Sequence, residues 1–335
     1  MPLLPKTLKG SARGDFFTKQ TPYRHPMPIK PWAVIYCPKE GSSQTHKRWK
    51  KIRRYLDSKG VAFDYVQSEG AGSVERLASM MTRTGYGTII VVGGDSALGH
   101  ALCGIMEADS PSGKHPVLGV IPNGFGNDFA KYWGFSAESY RKTVDALICR
   151  RIRKVDVGKA VLTDAENVSR TVYFLNCVNF GVAAAITNLR RKTTSWFGLK
   201  TLSYTFSALL LLFQRINFKF RFRLSGECVE RNAMSLCVGS AHSYGQTPSA
   251  VPYNGQLDIT LVSKPAVFQI FHGLWLLFTG RFLSHRGISV WRTRHIEITN
   301  TGRALLSVDG RMCRETIEKA DITILPEEID FLILS

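Results

Sequence analysis

No two cysteines in this sequence stand in a C-x-x-C pair, and the seven present (Cys37, Cys103, Cys149, Cys177, Cys228, Cys237, Cys313) are scattered and odd in number. That argues against a disulfide framework and against a zinc site, and makes a reducing cytosol the expected setting. Long apolar runs are also missing. The longest, "FSALLLLF" (Phe206 to Phe213) and "LWLLF" (Leu274 to Phe278), fall far short of the roughly 18 to 20 residues that cross a bilayer. The first residues lack the charged start, apolar core and small-residue cleavage site of a secretion signal, so a cytoplasmic protein, at most peripherally bound, is expected. Acidic residues are scarce: 26 against 44 lysines and arginines, a net charge of +18. The partners to look for are therefore anions, namely nucleotide phosphates, nucleic acid or an acidic lipid surface.

What is present points to a folded chain of two domains. A hydrophobic fraction of 44% excludes wholesale disorder, and 335 residues exceed one comfortable core. Residues 1–31 are basic and proline-bearing with no apolar period, which reads as a flexible arm. Over 32–150, strand-like runs ("WAVIYCP", "AFDYVQS", "GTIIVVGGD", "VLGVIPNG") alternate with helical ones, the pattern of a parallel sheet covered by helices. Over 151–335 the texture changes to short alternating strands, among them "VYFLNCVNFG", "FKFRFRL", "AMSLCVGSA", "QLDITLVS" and "ADITILP". These predict an antiparallel sandwich, interrupted by helical insertions at Trp196 to Gln214 and Ala266 to Leu283, its last segment free to return to the first domain.

Two strands end on glycine turns that carry an acid and open a helix: Gly93-Gly94-Asp95, and Gly124 and Gly126 followed by Asn127-Asp128. Ligands of parallel α/β sheets bind beyond the carboxyl ends of strands, where a following helix offers unpaired N–H groups to phosphate. Taken singly, the first turn also reads as a tight bend with Asp95 or Ser96 capping the helix. Two turns of one layout at adjacent sheet positions are harder to explain by capping.

In this order, "VVGGDSALGHAL" and "LGVIPNGFGNDFAKYWG" resemble the GGDGT and P-x-G-T-x-N-D-F-A-R motifs of the diacylglycerol kinase catalytic domain family, which includes bacterial lipid kinases and sphingosine kinases. "CPKEG", "KVDVGKA", "LNCVNFGVAAAI", "TPSAVPYNGQLDITLV" and "LLSVDGRM" extend the resemblance through nearly the whole chain from Trp32. It implies an α/β plus all-β architecture: a parallel-sheet nucleotide-binding domain, an antiparallel β-sandwich for the lipid, and an active site in the cleft between them. The implied activity is ATP- and Mg²⁺-dependent transfer of phosphate to a hydroxyl of diacylglycerol or a sphingoid lipid. Gly93, Gly94, Asp95, Gly124, Gly126 and Asn127 would line the ATP phosphates, helped by Ser68 and by Lys39 or the backbone near Gly41. Asp95, Asp128 and Asp156 would organise magnesium, with Asp95 close to the transfer itself. Asp309, at the family's D-G-E aspartate, would take the proton from the lipid hydroxyl.

The sequence also departs from the family. Ser96 and Ala97 replace Gly-Thr, Phe125 replaces a threonine, Arg311 replaces the glutamate of D-G-E, Asn254 stands at an aspartate of a structural magnesium site, and Ala183 replaces an acid. Either Arg311 gives its positive charge directly to the phosphates, or the chain is a catalytically impaired homologue that keeps binding alone.

For the membrane, the strand Lys219-Phe220-Arg221-Phe222-Arg223, with Arg190, Arg191 and Lys192 upstream, offers a basic face to anionic headgroups; the alternative is a merely solvated face. Phe220 and Phe222 among cations also suggest base stacking, but no nucleic-acid-binding signature accompanies them and no specific nucleic acid is expected. A homodimer is compatible with the sequence.

Overall fold

The computed structural model describes residues 31–38, 43–124, 126–186, 217–243, 247–263 and 284–334. Outside them lie residues 1–30 of the basic arm, Lys39, Gly41, Phe125, Arg190 to Lys192 and both expected helical insertions.

The first half alternates as expected: β1 (Trp32–Tyr36), α1 (Ser43–Ser58), β2 (Phe63–Gln67), α2 (Ala71–Arg83), β3 (Thr88–Gly93), α3 (Asp95–Met106), β4 (Val117–Pro122), then the short α4 (Asp128–Tyr132) and α5 (Tyr140–Ile148). β3 and β4 are buried at every position, which is why they read as continuous apolar runs rather than alternating ones. These four strands are parallel in the order β2-β1-β3-β4. That order reverses direction at β1, so right-handed crossovers place α1 on one face and α2 and α3 on the other. The reversal between β1 and β3 is a switch point, where a crevice opens at the carboxyl ends of the strands.

The second half comprises β5 (Ile152–Asp164), β6 (Ser169–Phe174), β7 (Cys177–Gly181), β8 (Phe218–Leu224), β9 (Glu227–Ala233), β10 (Ser235–Gly239), β11 (Leu257–Val262), β12 (Ile288–Thr293), β13 (His295–Asn300), β14 (Leu306–Val308), β15 (Arg311–Met312) and β16 (Ile317–Leu332). A six-stranded antiparallel sheet, β12-β11-β10-β7-β14-β15, packs on the antiparallel part of the larger sheet. The parallel sheet does not end at β4. The 16-residue β16 runs beside β4, with Phe331 level with Leu118, and pairs along β5 and β13, so one 10-stranded sheet passes through both halves.

Two expectations are corrected. "VYFLNCVNFG" is two strands, not one: β6 stops at Phe174 and β7 starts at Cys177 in the other sheet, because the intervening N–H groups turn to a distant carboxylate described below. The basic strand β8 is neither a stacking platform nor a row of uncompensated charge. Phe220 and Phe222 are fully buried in the sandwich core. Lys219 and Arg221 each pair with Glu230 at 2.6 Å, and Arg223 with Glu297 at 3.2 Å, across neighbouring strands. Among the described residues no helix is long and apolar enough to cross a membrane.

Candidate active site

The two glycine turns meet at the carboxyl ends of β3 and β4. Gly93 is level with Pro122, and the Asn123 N–H donates to the Gly93 carbonyl at 2.8 Å, carrying the pairing one residue past the strands. A Cβ on Gly124 would lie only 2.8 Å from the Gly94 nitrogen, so the turns touch backbone to backbone and have no room for a side chain there. Gly94 caps α3 without a side-chain bond, and the first N–H of that helix with a carbonyl partner is that of Leu98, on Gly94. Among the described residues the N–H groups of Asp95, Ser96 and Ala97 have no partner, which leaves an electropositive helix end at the crevice.

Asp95 ties the two turns together. Its Oδ2 accepts the Asp128 N–H at 2.9 Å and its Oδ1 the Phe129 N–H at 3.1 Å, so one carboxylate holds the start of α4 in place of a local cap. Burial and then the Asp128 charge push its carboxyl up to about 6, while the two N–H bonds act in the other direction. Asn127, expected at the phosphates, is 5% exposed in a left-handed conformation. Its side chain closes the turn on itself, accepting from Gly124 N–H at 3.2 Å and donating to Gly124 O at 3.1 Å. Gly126 lies half-buried just before it. Ser68 stands at the end of β2, its N–H on Tyr36 O and its hydroxyl beside Cys37, whose thiol burial raises to about 11.

Asp309 arrives from the far end of the chain. Asp309 and Gly310, with φ of 45° and 75°, form the two-residue turn between β14 and β15, the type I′ geometry that Asp-Gly favours. The side chain is 3% exposed. Its Oδ2 accepts the Leu175 N–H at 2.8 Å, and its Oδ1 those of Asn176 and Cys177 at 2.9 and 3.0 Å, which is what separates β6 from β7. It packs on α3, where a Cβ added to Gly99 would stand 3.1 Å from Oδ2. It is also close enough to Asp95 for its charge to raise that carboxyl. Burial pushes Asp309 itself up, opposed by the Arg311 charge and the three N–H bonds.

Two expected site residues have other tasks. Asp156 is fully buried, its Oδ2 accepting Gly255 N–H at 2.7 Å and its Oδ1 Glu327 N–H at 2.9 Å, so it fastens the loop before β11 to β16. Asn254, in the same loop, uses its Oδ1 on the Gln256 N–H. Arg311 does not point at the phosphate turns: Nη2 donates to Tyr173 O at 3.0 Å, and Nη1 lies 3.4 Å from both His100 Nδ1 and Cys103 Sγ along the flank of α3.

Sequence reasoning missed Arg48 and Asn123. Arg48 Nη1 donates to Asn123 Oδ1 at 3.3 Å, and Asn123 Nδ2 to Thr45 O at 3.4 Å, so the first turns of α1 bring a cation to the mouth. The signal was available, since every helix following a parallel strand starts at the carboxyl edge.

The turns, that helix end and Arg48 fit the phosphates of a nucleotide. Magnesium fits in part. Among the described residues no three His, Cys, Asp or Glu side chains group as a metal site, but Mg²⁺ commonly takes one or two carboxylates, with waters and phosphates completing its shell. Asp95 and the half-exposed Asp128, whose charges repel, meet that requirement; Asp156 does not join them.

A family model described as the diacylglycerol kinase catalytic domain matches residues 31–160, and one described as the YegS C-terminal NAD kinase beta sandwich-like domain matches 176–333. A diacylglycerol kinase of Staphylococcus carnosus is 24% identical over 83% of this chain and 87% of its own length, and that of Bacillus subtilis 21% over 83% and 88%. The fold is shared with the crystal structure of a diacylglycerol kinase from Bacillus anthracis, with a TM-score of 0.64 and 17% identity over 91% of this chain and 97% of that one. It is shared more distantly with yeast NADH kinase in complex with NADH, with a TM-score of 0.51 and 12% identity over 90% and 83%. Both halves are thus matched: residues 31–160 are similar to the diacylglycerol kinase catalytic domain, which holds the paired glycine turns, and residues 176–333 to the YegS-type C-terminal sandwich.

Proposed function

We propose that the protein is an ATP-dependent lipid kinase that transfers the γ-phosphoryl group to a hydroxyl of diacylglycerol or a sphingoid-type lipid. The observation that carries this reading is one convergence: touching glycine turns, a helix end with no partner among the described residues, and the carboxylates of Asp128 and Asp309 both within electrostatic reach of Asp95. Phosphoryl transfer needs positioning and charge neutralisation more than covalent chemistry. The N–H groups of 95–97 and the backbone of the two turns bind phosphate oxygens, and Arg48 adds positive charge at the mouth. Asp95 and Asp128 would hold a magnesium ion, which when bound neutralises charge on the transferring group. Asp309 is the proposed base: among the described residues Oδ2 carries a single N–H bond, which leaves it a lone pair for the acceptor hydroxyl. Its raised affinity for a proton suits that task. Gly99 keeps the approach to Oδ2 clear of a Cβ.

The acceptor resides in a membrane, and the surface we assign to that contact is α1 rather than β8. Lys47, Lys50, Lys51 and Arg54 form an exposed helical stripe opposite the buried Trp49, Ile52 and Leu56. Among the described residues none of these four is in an ion pair, whereas the β8 cations are compensated. The stripe starts beside Arg48 at the mouth of the crevice.

A second reading, binding without turnover, is favoured by one observation: Asp309 is buried with both oxygens bonded, and a cation stands at 311 where the family has a carboxylate. One experiment separates the two. Purified protein is incubated with labelled ATP, magnesium and a total lipid extract beside Asp309→Asn. A labelled lipid absent from the variant lane supports the kinase; nucleotide binding with no labelled lipid in either lane supports the second reading.

A further inference from the structure

Asp309 sits at the tip of a two-residue hairpin whose strands pair at only two positions, Ser307 with Met312 and Val308 with Arg311. β14 is tied to β7 at Leu306, Ser307 and Val308, and the Asp309 N–H donates to Cys177 O at 3.0 Å, but the returning arm β15 is the edge of its sheet and has only that short ladder. Arg311, on that arm and facing Val308 across the turn, adds a side-chain attachment. Its Nη2 reaches Tyr173 O at 3.0 Å, at the end of the strand leading into the Asp309-bound segment 175–177. Its Nη1 lies on Cys103 Sγ and His100 Nδ1 of α3, and its Nε on Val308 O at 3.3 Å within its own hairpin. Behind His100 stands Glu75 of α2, 3.1 Å from the same Nδ1. Signs alternate along this line: Glu75 negative, Arg311 positive, Asp309 negative, with Asp95 beyond.

The guanidinium contacts α3 at residues 100 and 103, roughly 6 to 10 Å along the helix from its first turn at 1.5 Å per residue. It therefore engages the flank of the helix and not the end that receives phosphate. We infer that Arg311 is a positioning residue that fastens the Asp309 hairpin to α3 and to Tyr173, holding the Asp309 carboxylate at its station near Asp95. The fastening stands on the geometry alone; its kinetic consequence rests on the lipid kinase reading.

The test is Arg311→Met in the full chain, read two ways. Hydrogen exchange of the peptide spanning 173–177, whose amides at 175, 176 and 177 are bound by Asp309, should quicken at least tenfold, while the Kd for ATP with magnesium stays within about twofold. Arg311→Lys, which cannot span Tyr173, Cys103 and His100 together, should also quicken exchange, and it carries the test if the methionine variant does not fold. Where lipid phosphorylation is measurable, kcat should fall at least tenfold with the KM for ATP unchanged. Unchanged protection of 173–177 overturns the inference, and so does a tenfold loss of ATP affinity, which would make Arg311 a phosphate ligand. The exchange result stands whether or not the protein phosphorylates lipid, so failure of the kinase reading is separately visible.

Discussion

Asp95 Oδ2 accepts the backbone N–H of Asp128 at 2.9 Å, so the acid that ends the first glycine turn caps the helix that follows the second. The bond makes the two halves of the crevice one object. Asp95→Ala should release the start of α4 as well as remove a negative charge from the site. The Asp128 and Phe129 N–H groups should exchange faster once their acceptor is gone, and lipid phosphorylation should drop by at least a hundredfold.

Asp95 also predicts a pH dependence. In metal-free buffer its carboxyl, pushed up to about 6 by burial and then by Asp128, binds a proton more tightly in the fold than in the unfolded chain. Between roughly pH 4, the ordinary carboxylate value, and 6 the folded state holds more protons, so stability falls as pH rises through that window. Asp95→Asn removes this contribution. Urea unfolding of both proteins from pH 4 to 7 should show the wild type losing stability relative to the variant as pH climbs. A difference independent of pH would contradict the assignment.

Gly124→Ala places a methyl into the backbone of Gly94. No side chain can yield there, so the turns must separate. The variant should lose ATP binding at least tenfold while keeping its far-ultraviolet circular dichroism, since both cores lie below the turns. Retained affinity in calorimetry would show that the contact between the turns is dispensable.

Much of this was legible in the sequence, for identifiable reasons. β3 and β4 are buried on both faces and lead into glycine turns, so they announced themselves; Asp309 was visible through its motif, and its place in a two-residue turn only in the fold. The break between Phe174 and Cys177 was not legible. Nothing local interrupts "VYFLNCVNFG"; the bend exists because Asp309, far along the chain, takes three successive N–H groups there. Asp156 misled for a related reason. A buried aspartate reads alike whether it binds a cation or backbone N–H groups, and only the fold shows Gly255 and Glu327 as its partners. On β8 the alternation was correctly visible, but the glutamates that neutralise its cations come from other strands.

Asp156→Ala should therefore behave as a stability variant. Two buried charge-assisted bonds are lost, about 3 to 5 kcal/mol, and the loop around Gly255 should exchange its amides faster. Phosphorylation per folded molecule, at a temperature where the variant remains folded, should fall less than tenfold. A hundredfold loss, recovered by raising the magnesium concentration, would instead return Asp156 to the metal site.

The two basic surfaces make opposite predictions at a bilayer. A cation already paired in the fold gains little from an anionic headgroup, because it must first give up its glutamate. An unpaired one gains about 1 kcal/mol near a charged surface. Replacing Lys47, Lys50, Lys51 and Arg54 together by glutamine should weaken sedimentation with phosphatidylglycerol vesicles by at least thirtyfold at low salt. The difference should narrow at high salt, as screening removes what those charges contribute. Replacing Lys219, Arg221 and Arg223 should change vesicle binding less than threefold. If the β8 variant loses binding and the α1 variant keeps it, the membrane-facing side of the molecule has been assigned to the wrong surface.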